Sequence, residues 1–157
     1  MTTEKIHKHN PAEATGNNPE VPTKPLMVLV VDDEPGFCQM LKWELTNQGM
    51  HVETAVDGTE GVQLVSQKKF DVVITDITMP RMDGLKLLQE IKSISPETEV
   101  IVATGFAAVE TAVFAMQKGA FDFVLKPYNL EHLISRVKKA VERLSRCKTC
   151  GKFTHNE

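Results

Sequence analysis

A handful of residues in this chain have side chains suited to one kind of chemistry. Asp32, Asp33 and Glu34 follow one apolar run, Asp76 another and Thr104 a third, and Lys126, with Pro127 behind it, ends a fourth. An aspartate at the end of a strand is ordinarily a helix cap, so each of them alone says little. Brought together, three acids are costly, since two unit charges 4 Å apart repel by about 4 kcal/mol at an effective dielectric of 20. Such a cluster needs a cation. Oxygen-only ligands with open positions suit Mg2+, a hard ion that keeps several waters and is often completed by phosphate oxygens. Lys126 offers a point charge to a phosphoryl oxygen, and the Thr104 hydroxyl can donate a hydrogen bond to another. Metal, ammonium, donor and positioned nucleophile are the parts of phosphoryl transfer. Asp76 is the candidate nucleophile, forming an aspartyl phosphate.

The elements that must position these residues are legible in the hydrophobic pattern. Leu26–Val31 is a continuous apolar run, the mark of a strand buried on both faces. Pro35 suits a first helical turn, Phe37, Leu41 and Leu45 follow at helical spacing, and Gly49 closes that helix. Residues 51–56 alternate like a second strand, and 58–67 form a short helix with Val62 and Val65 inward. Residues 71–75 are a third strand, followed by a loop holding Pro80 and Gly84 and by a helix over 85–94. A fourth strand spans 100–103. Val109, Ala112, Val113 and Met116 are spaced as the buried stripe of a helix closed by Gly119. Residues 121–125 make a fifth strand, and Leu130, Leu133, Ile134, Val137, Val141 and Leu144 stripe a last helix. Five strands alternating with five helices predict an α/β fold, (βα)5, its parallel sheet covered on both faces. Ligands bind such sheets at the carboxyl ends of the strands, which is where the acids, Thr104 and Lys126 fall.

The segments VVDDEP at 30–35, ITDITMPRMDG at 74–84, ATG at 103–105 and LKP at 125–127 closely resemble bacterial response-regulator receiver domains. The resemblance covers about residues 26–145 and implies a doubly wound, flavodoxin-like strand order 2-1-3-4-5, as in chemotaxis receivers. It implies Asp32 and Asp33 as the acidic pair of a Mg2+ site, Asp76 as phosphoacceptor and Thr78 as the source of a metal-binding backbone carbonyl. Thr104 would be the switching hydroxyl, Lys126 the phosphate-contacting base and Phe123 the switch aromatic, standing where many members carry Tyr. A cis Lys126–Pro127 peptide is also implied. The implied partners are a sensor histidine kinase or phosphotransfer protein and a downstream effector of unknown identity, reached through a face of the fourth helix, fifth strand and fifth helix. Ala107, Ala108, Phe114 and Tyr128 are candidate contacts near that face, and a homodimer is among the assemblies the family allows. The expected role is a phosphoacceptor signalling module that assists its own phosphorylation and dephosphorylation, not an enzyme acting on a separate substrate. The alternative is a receiver fragment of a longer DNA-binding transcriptional regulator. Phe106, two residues past Thr104, is placed to shield the phosphate from water, or else to pack against the next helix.

Composition narrows the classes further. The chain has 157 residues, 18 Lys and Arg, 21 Asp and Glu, 41% hydrophobic residues and three cysteines, which suits one globular domain with tails. Residues 1–25 balance at zero charge, 26–135 carry 16 acids against 8 bases, and 136–157 carry seven bases against two acids. An acidic body argues against nucleic-acid binding by this domain, and the basic end reads as a solvated helix end and tail. The longest apolar run is far below the roughly 20 residues of a membrane span, no export signal opens the chain, and few cysteines suit a reducing compartment. A cytoplasmic location with no membrane association is expected. Residues 1–25, holding four of the eight prolines, read as a disordered N-terminal arm. His7 and His9 alone there make a poor metal site. Residues 146–157 read as a tail in which Cys147-x-x-Cys150 and His155 supply three ligands where a structural zinc site needs four. Metal binding, a disulfide and free thiols all remain open for that pair. Cys38 reads as an inert core thiol, and Trp43 falls off the buried stripe of its helix. Haloacid-dehalogenase-like phosphatases want Asp-x-Asp at the nucleophile, and here Thr78 stands in the second place. A flavin-binding flavodoxin needs a hydroxyl-rich phosphate loop where this chain has Asp32–Asp33–Glu34.

Overall fold

Val28 and Val30 pack into one hydrophobic cluster and Leu29 and Val31 into another, so the first strand buries both of its faces. The structure, a computed structural model, describes residues 24–105 and 108–150, with side chains as far as Cys147. Most of the proposed arm, His7, His9, Phe106, Ala107 and His155 lie outside the described residues. The elements run β1 (Met27–Val31), α1 (Pro35–Asn47), β2 (His51–Ala55), α2 (Gly58–Gln67), β3 (Val72–Thr75), α3 (Gly84–Ile94), β4 (Glu99–Thr104), α4 (Val109–Gln117), β5 (Asp122–Leu125) and α5 (Leu130–Cys150). All strand pairs are parallel, in the order β2-β1-β3-β4-β5. The fold is therefore the doubly wound, flavodoxin-like (βα)5 sheet expected. Helices α1 and α5 cover one face through Leu41, Leu45, Leu133 and Val137, and α2, α3 and α4 cover the other through Val65, Leu87, Ile91 and Ala115. Helix α5 extends to Cys150, so Cys147 sits exposed on a helix whose last turn the sequence reading assigns to the tail.

Local signals explain the boundaries. Pro35 occupies the first turn of α1, where its missing N–H costs nothing, and Gly49 beyond the end takes a left-handed φ of 85°. Asp57 caps α2 by accepting from Glu60 N, while the Glu60 carboxylate accepts from Val56 N, both at 2.9 Å.

One element differs from its expected packing. On α4, Val109, Val113 and Met116 are 78%, 48% and 48% exposed, and the buried residue is Ala115. The true inner face lies roughly a quarter-turn round the helix from the apolar stripe, given about 100° per residue. This helix rests on the sheet through small side chains and leaves its large ones outward. Tyr128 also departs from expectation. Its ring packs in the cluster beneath α1 and α5, edge-on to Phe37, and its hydroxyl is buried.

Candidate functional site

Strand order determines which residues meet. Because β1 lies between β2 and β3, the residues after β1 and β3 emerge side by side, and those after β4 and β5 complete one edge. Asp76 N bonds Val31 O at 3.1 Å, tying the end of β3 to β1, and Lys126 N bonds Thr104 O at 2.9 Å, tying β5 to β4. Carboxylate oxygens of Asp32, Asp33 and Asp76 lie within 4.8 Å of one another. Asp32 is buried, Asp76 half-buried and Asp33 exposed, so the cluster opens to solvent on the Asp33 side. Glu34 occupies the N-cap position of α1 without a side-chain cap bond and stands outside this triad.

Lys126 is the cation of the site. Its Nζ donates to Asp32 Oδ2 at 2.6 Å and to Asp76 Oδ2 at 3.2 Å. The remaining carboxylate oxygens face the backbone: Asp32 Oδ1 accepts from Glu34 N at 3.0 Å and Asp76 Oδ1 from Ile77 N at 2.6 Å. Thr78 N lies 3.4 Å from the same Asp76 oxygen. Burial alone would lower the Lys126 ammonium, yet the bonds and charges of Asp32 and Asp76 hold it above its ordinary value. Three carboxylates against one ammonium leave an excess of two negative charges, which fits a divalent cation held by hard oxygen ligands. Thr104 is buried at the end of β4, and Phe123 is half-buried, bordering a cleft of about 350 Å3 with Leu125, Tyr128, His132 and Arg136.

The loop after Asp76 approaches itself so closely that a side chain is excluded. A Cβ on Gly84 would stand 1.9 Å from the Asp76 carbonyl oxygen. The same loop carries Arg81 at φ 67°, and its guanidinium pairs with buried Asp57 at the start of α2, Nε to Oδ2 at 3.3 Å.

The sequence-identified acids gather on this edge, with Lys126 bonded to Asp32 and Asp76, Thr78 N beside Asp76 and Thr104 at the end of β4, whereas Phe123 lies further back along β5. The Lys126–Pro127 peptide is cis. Two neighbours escaped the sequence reading. The Phe37 ring lies 4.2 Å from Lys126 Nζ, and Tyr128 packs edge-on against that ring, the centroids 5.9 Å apart. Phe37 registered only as part of a helical stripe; its place in the helical turn directly after the acidic pair was the available signal.

This geometry is accompanied by matching relatives. Residues 28–138 match the family model described as the response regulator receiver domain. The chain is 38% identical over 120 residues to the transcriptional regulatory protein GlrR of Escherichia coli K12, covering 76% of this chain and 27% of GlrR. Among solved structures, a receiver domain protein from Clostridium thermocellum is 36% identical with a TM-score of 0.74, covering 78% of this chain and 98% of that one. The beryllofluoride-activated NtrC4 receiver domain dimer is 38% identical with a TM-score of 0.72, covering 75% and 98%. The chain belongs to the response regulator receiver domain family of two-component systems. It spans about a quarter of the length of the curated relatives it matches.

Proposed function

We propose that this receiver accepts a phosphoryl group on Asp76 from a phosphohistidine of a sensor kinase or phosphotransfer protein, in a Mg2+-dependent step. The observation that carries the reading is Lys126 Nζ joining Asp32 and Asp76 beside an acidic triad at the sheet's switch point. Asp32, Asp33, Asp76 and the Thr78 carbonyl would hold the metal. When bound, Mg2+ supplies positive charge that neutralises the carboxylates and the phosphoryl oxygens.

The chain's own residues do the rest. An Asp76 carboxylate oxygen forms the new O–P bond while the donor N–P bond breaks, its electron pair leaving on the imidazole nitrogen. Ile77 N fixes the Asp76 carboxylate in place, and Lys126 offsets charge on the transferred group. Thr104, at the end of the neighbouring strand, is the hydroxyl that turns toward the new phosphate. Phe123 then moves inward, and α4, β5 and α5 repack as a two-state output face. Val109, Val113 and Met116, left exposed on α4, and Leu125, 54% exposed on β5, give that face the apolar character of a contact surface. A homodimer through it is one form the output can take.

A second reading concerns the whole protein. The share of GlrR covered fits a receiver that works within a longer transcriptional regulator, and the match over 98% of a single receiver domain protein fits a freestanding module equally. In either setting the domain is a phosphoacceptor and acts in the cytoplasm. Among the described residues, no helix is long and apolar enough to cross a membrane.

Incubation with acetyl phosphate and Mg2+ followed by intact-mass measurement tests the reading. The wild type should gain one phosphoryl group and Asp76→Asn none; equal uptake by both overturns the assignment.

A further inference from the structure

We propose that Phe37 is a positioning residue for Lys126, its ring face holding the ammonium at the phosphoacceptor. The inference rests on the Asp76 and Lys126 roles above and adds a residue to them. Nζ lies 4.2 Å from the ring centroid, within the range at which the negative face of an aromatic ring attracts a cation. Two sides of the ammonium are taken by the carboxylates of Asp32 and Asp76, and the ring adjoins it as a third neighbour.

The third contact differs in kind from the other two. A carboxylate that holds Lys126 is also a ligand for a divalent cation, so the two cations compete for Asp32 and Asp76. A ring face offers no lone pair to a hard metal ion and accepts no proton. It therefore keeps its hold on Lys126 whatever occupies the acidic triad. Lysine has a long, rotatable stem, and without such a contact much of its orientation would depend on the carboxylates alone.

The ring is itself well supported. Pro35 starts α1 immediately after the acidic loop, which places Phe37 in the same helical turn. Tyr128 comes from the loop that carries Lys126 and packs edge-on to Phe37, the planes at 69°. The pair thus braces the first turn of α1 against the loop after β5, and Lys126 lies along the brace. An apolar cleft of about 450 Å3, lined by Phe37, Met40, Pro127, Tyr128 and Leu130, borders the ammonium on this side, with no acid among its lining residues.

The test uses the full chain, with acetyl phosphate as donor and saturating Mg2+. Phe37→Leu, which keeps apolar bulk and removes the ring, should phosphorylate about fivefold to tenfold more slowly, the loss appearing in the maximal rate and not in the donor concentration for half-maximal rate. Phe37→Tyr keeps the ring face and should restore the rate to within about twofold. Proton NMR should show the Lys126 ε-methylene shifted upfield by the ring in the wild type and Phe37→Tyr, and unshifted in Phe37→Leu. Phe37→Met serves in place of leucine if that variant does not fold. A leucine or methionine variant with the wild-type rate, or with an unchanged Lys126 signal, overturns the proposal. Phosphate uptake by Asp76→Asn equal to the wild type's would instead overturn the phosphoacceptor reading beneath it.

Discussion

Lys126 is the cation among three acids, and this imbalance governs what single substitutions should do. Asp33 is the exposed member of the triad. Asp33→Asn removes one repelling charge, so this variant should melt higher than the wild type without Mg2+. It should also gain less when Mg2+ is added. Binding to the native state alone stabilises by roughly 1.4 kcal/mol when the ion is tenfold above its Kd. Thermal melts with and without Mg2+ read both effects, and an undiminished Mg2+ response in the variant would remove Asp33 from the metal site. Tyr128 presents the opposite situation, a polar group with too little company. Its buried hydroxyl has no hydrogen-bond partner among the described residues, and burial together with the charges of Asp32 and Asp76 pushes its pKa upward. A buried unsatisfied hydroxyl costs about 1–3 kcal/mol, so Tyr128→Phe should raise stability, with denaturant unfolding as the measurement. Cys38 donates its thiol to Asp32 O at 3.3 Å, and burial first, then the Asp32 charge, push it up to about 11 from 9.0. The thiolate therefore forms first in the unfolded chain. This contribution to stability is complete below pH 9.0 and is lost as pH rises toward 11. Native Cys38 should resist alkylation near pH 9.0 and react once the chain is unfolded.

Elements place these residues through backbone fit more than through side-chain choice. The loop from Asp76 to α3 leaves no room for a Cβ at Gly84, which would overlap the Asp76 carbonyl. Gly84→Ala should destabilise the chain by about 2 kcal/mol or more, since backbone must shift where no flexible side chain can yield. The same variant should phosphorylate poorly even where it remains folded, because the shift falls on Asp76, the proposed phosphoacceptor. Helix α4 gives a contrasting expectation. Val113→Ser, on the exposed stripe, should change stability by less than about 0.5 kcal/mol, whereas a large residue at buried Ala115 should cost about 1–3 kcal/mol. This helix also shows where sequence reading fails. The inner strands β1, β3 and β4 were legible because both their faces are buried, so each apolar run had to be core; Val28 to Val31 are the clearest case. On α4 the apolar spacing was read correctly and its direction wrongly, since periodicity reports a stripe and not what covers it. The acids, Thr104 and Lys126 were legible because each ends a strand. Phe37 and Tyr128 were not, because a contact between a helix and a loop more than ninety residues apart leaves no local pattern in the chain.

At the scale of the whole molecule, the sheet separates two jobs. Its carboxyl edge gathers the charges, and the helices on its two faces carry different surfaces away from that edge. Asp122 and Arg136 pair between β5 and α5, joining the strand that carries Phe123 to the last helix. A change at Asp76 that reaches Thr104 and Phe123 therefore meets a connected unit of α4, β5 and α5. Chemical-shift mapping with a beryllofluoride phosphoryl mimic should show changes spreading to Val113, Phe123 and Arg136, and changes confined to residues touching Asp76 would contradict a two-state output face. All of this depends on which carboxylate takes the phosphate. Three candidates stand within 4.8 Å, and intact mass alone does not separate them. Borohydride converts an acyl phosphate of aspartate to homoserine, marking the residue that carried it. Phosphorylation with Mg2+, reduction and peptide sequencing by mass spectrometry therefore tests the central claim most directly. Homoserine at position 76 and at neither 32 nor 33 is the predicted result, and homoserine at either of those two positions, with Asp76 unchanged, would contradict it.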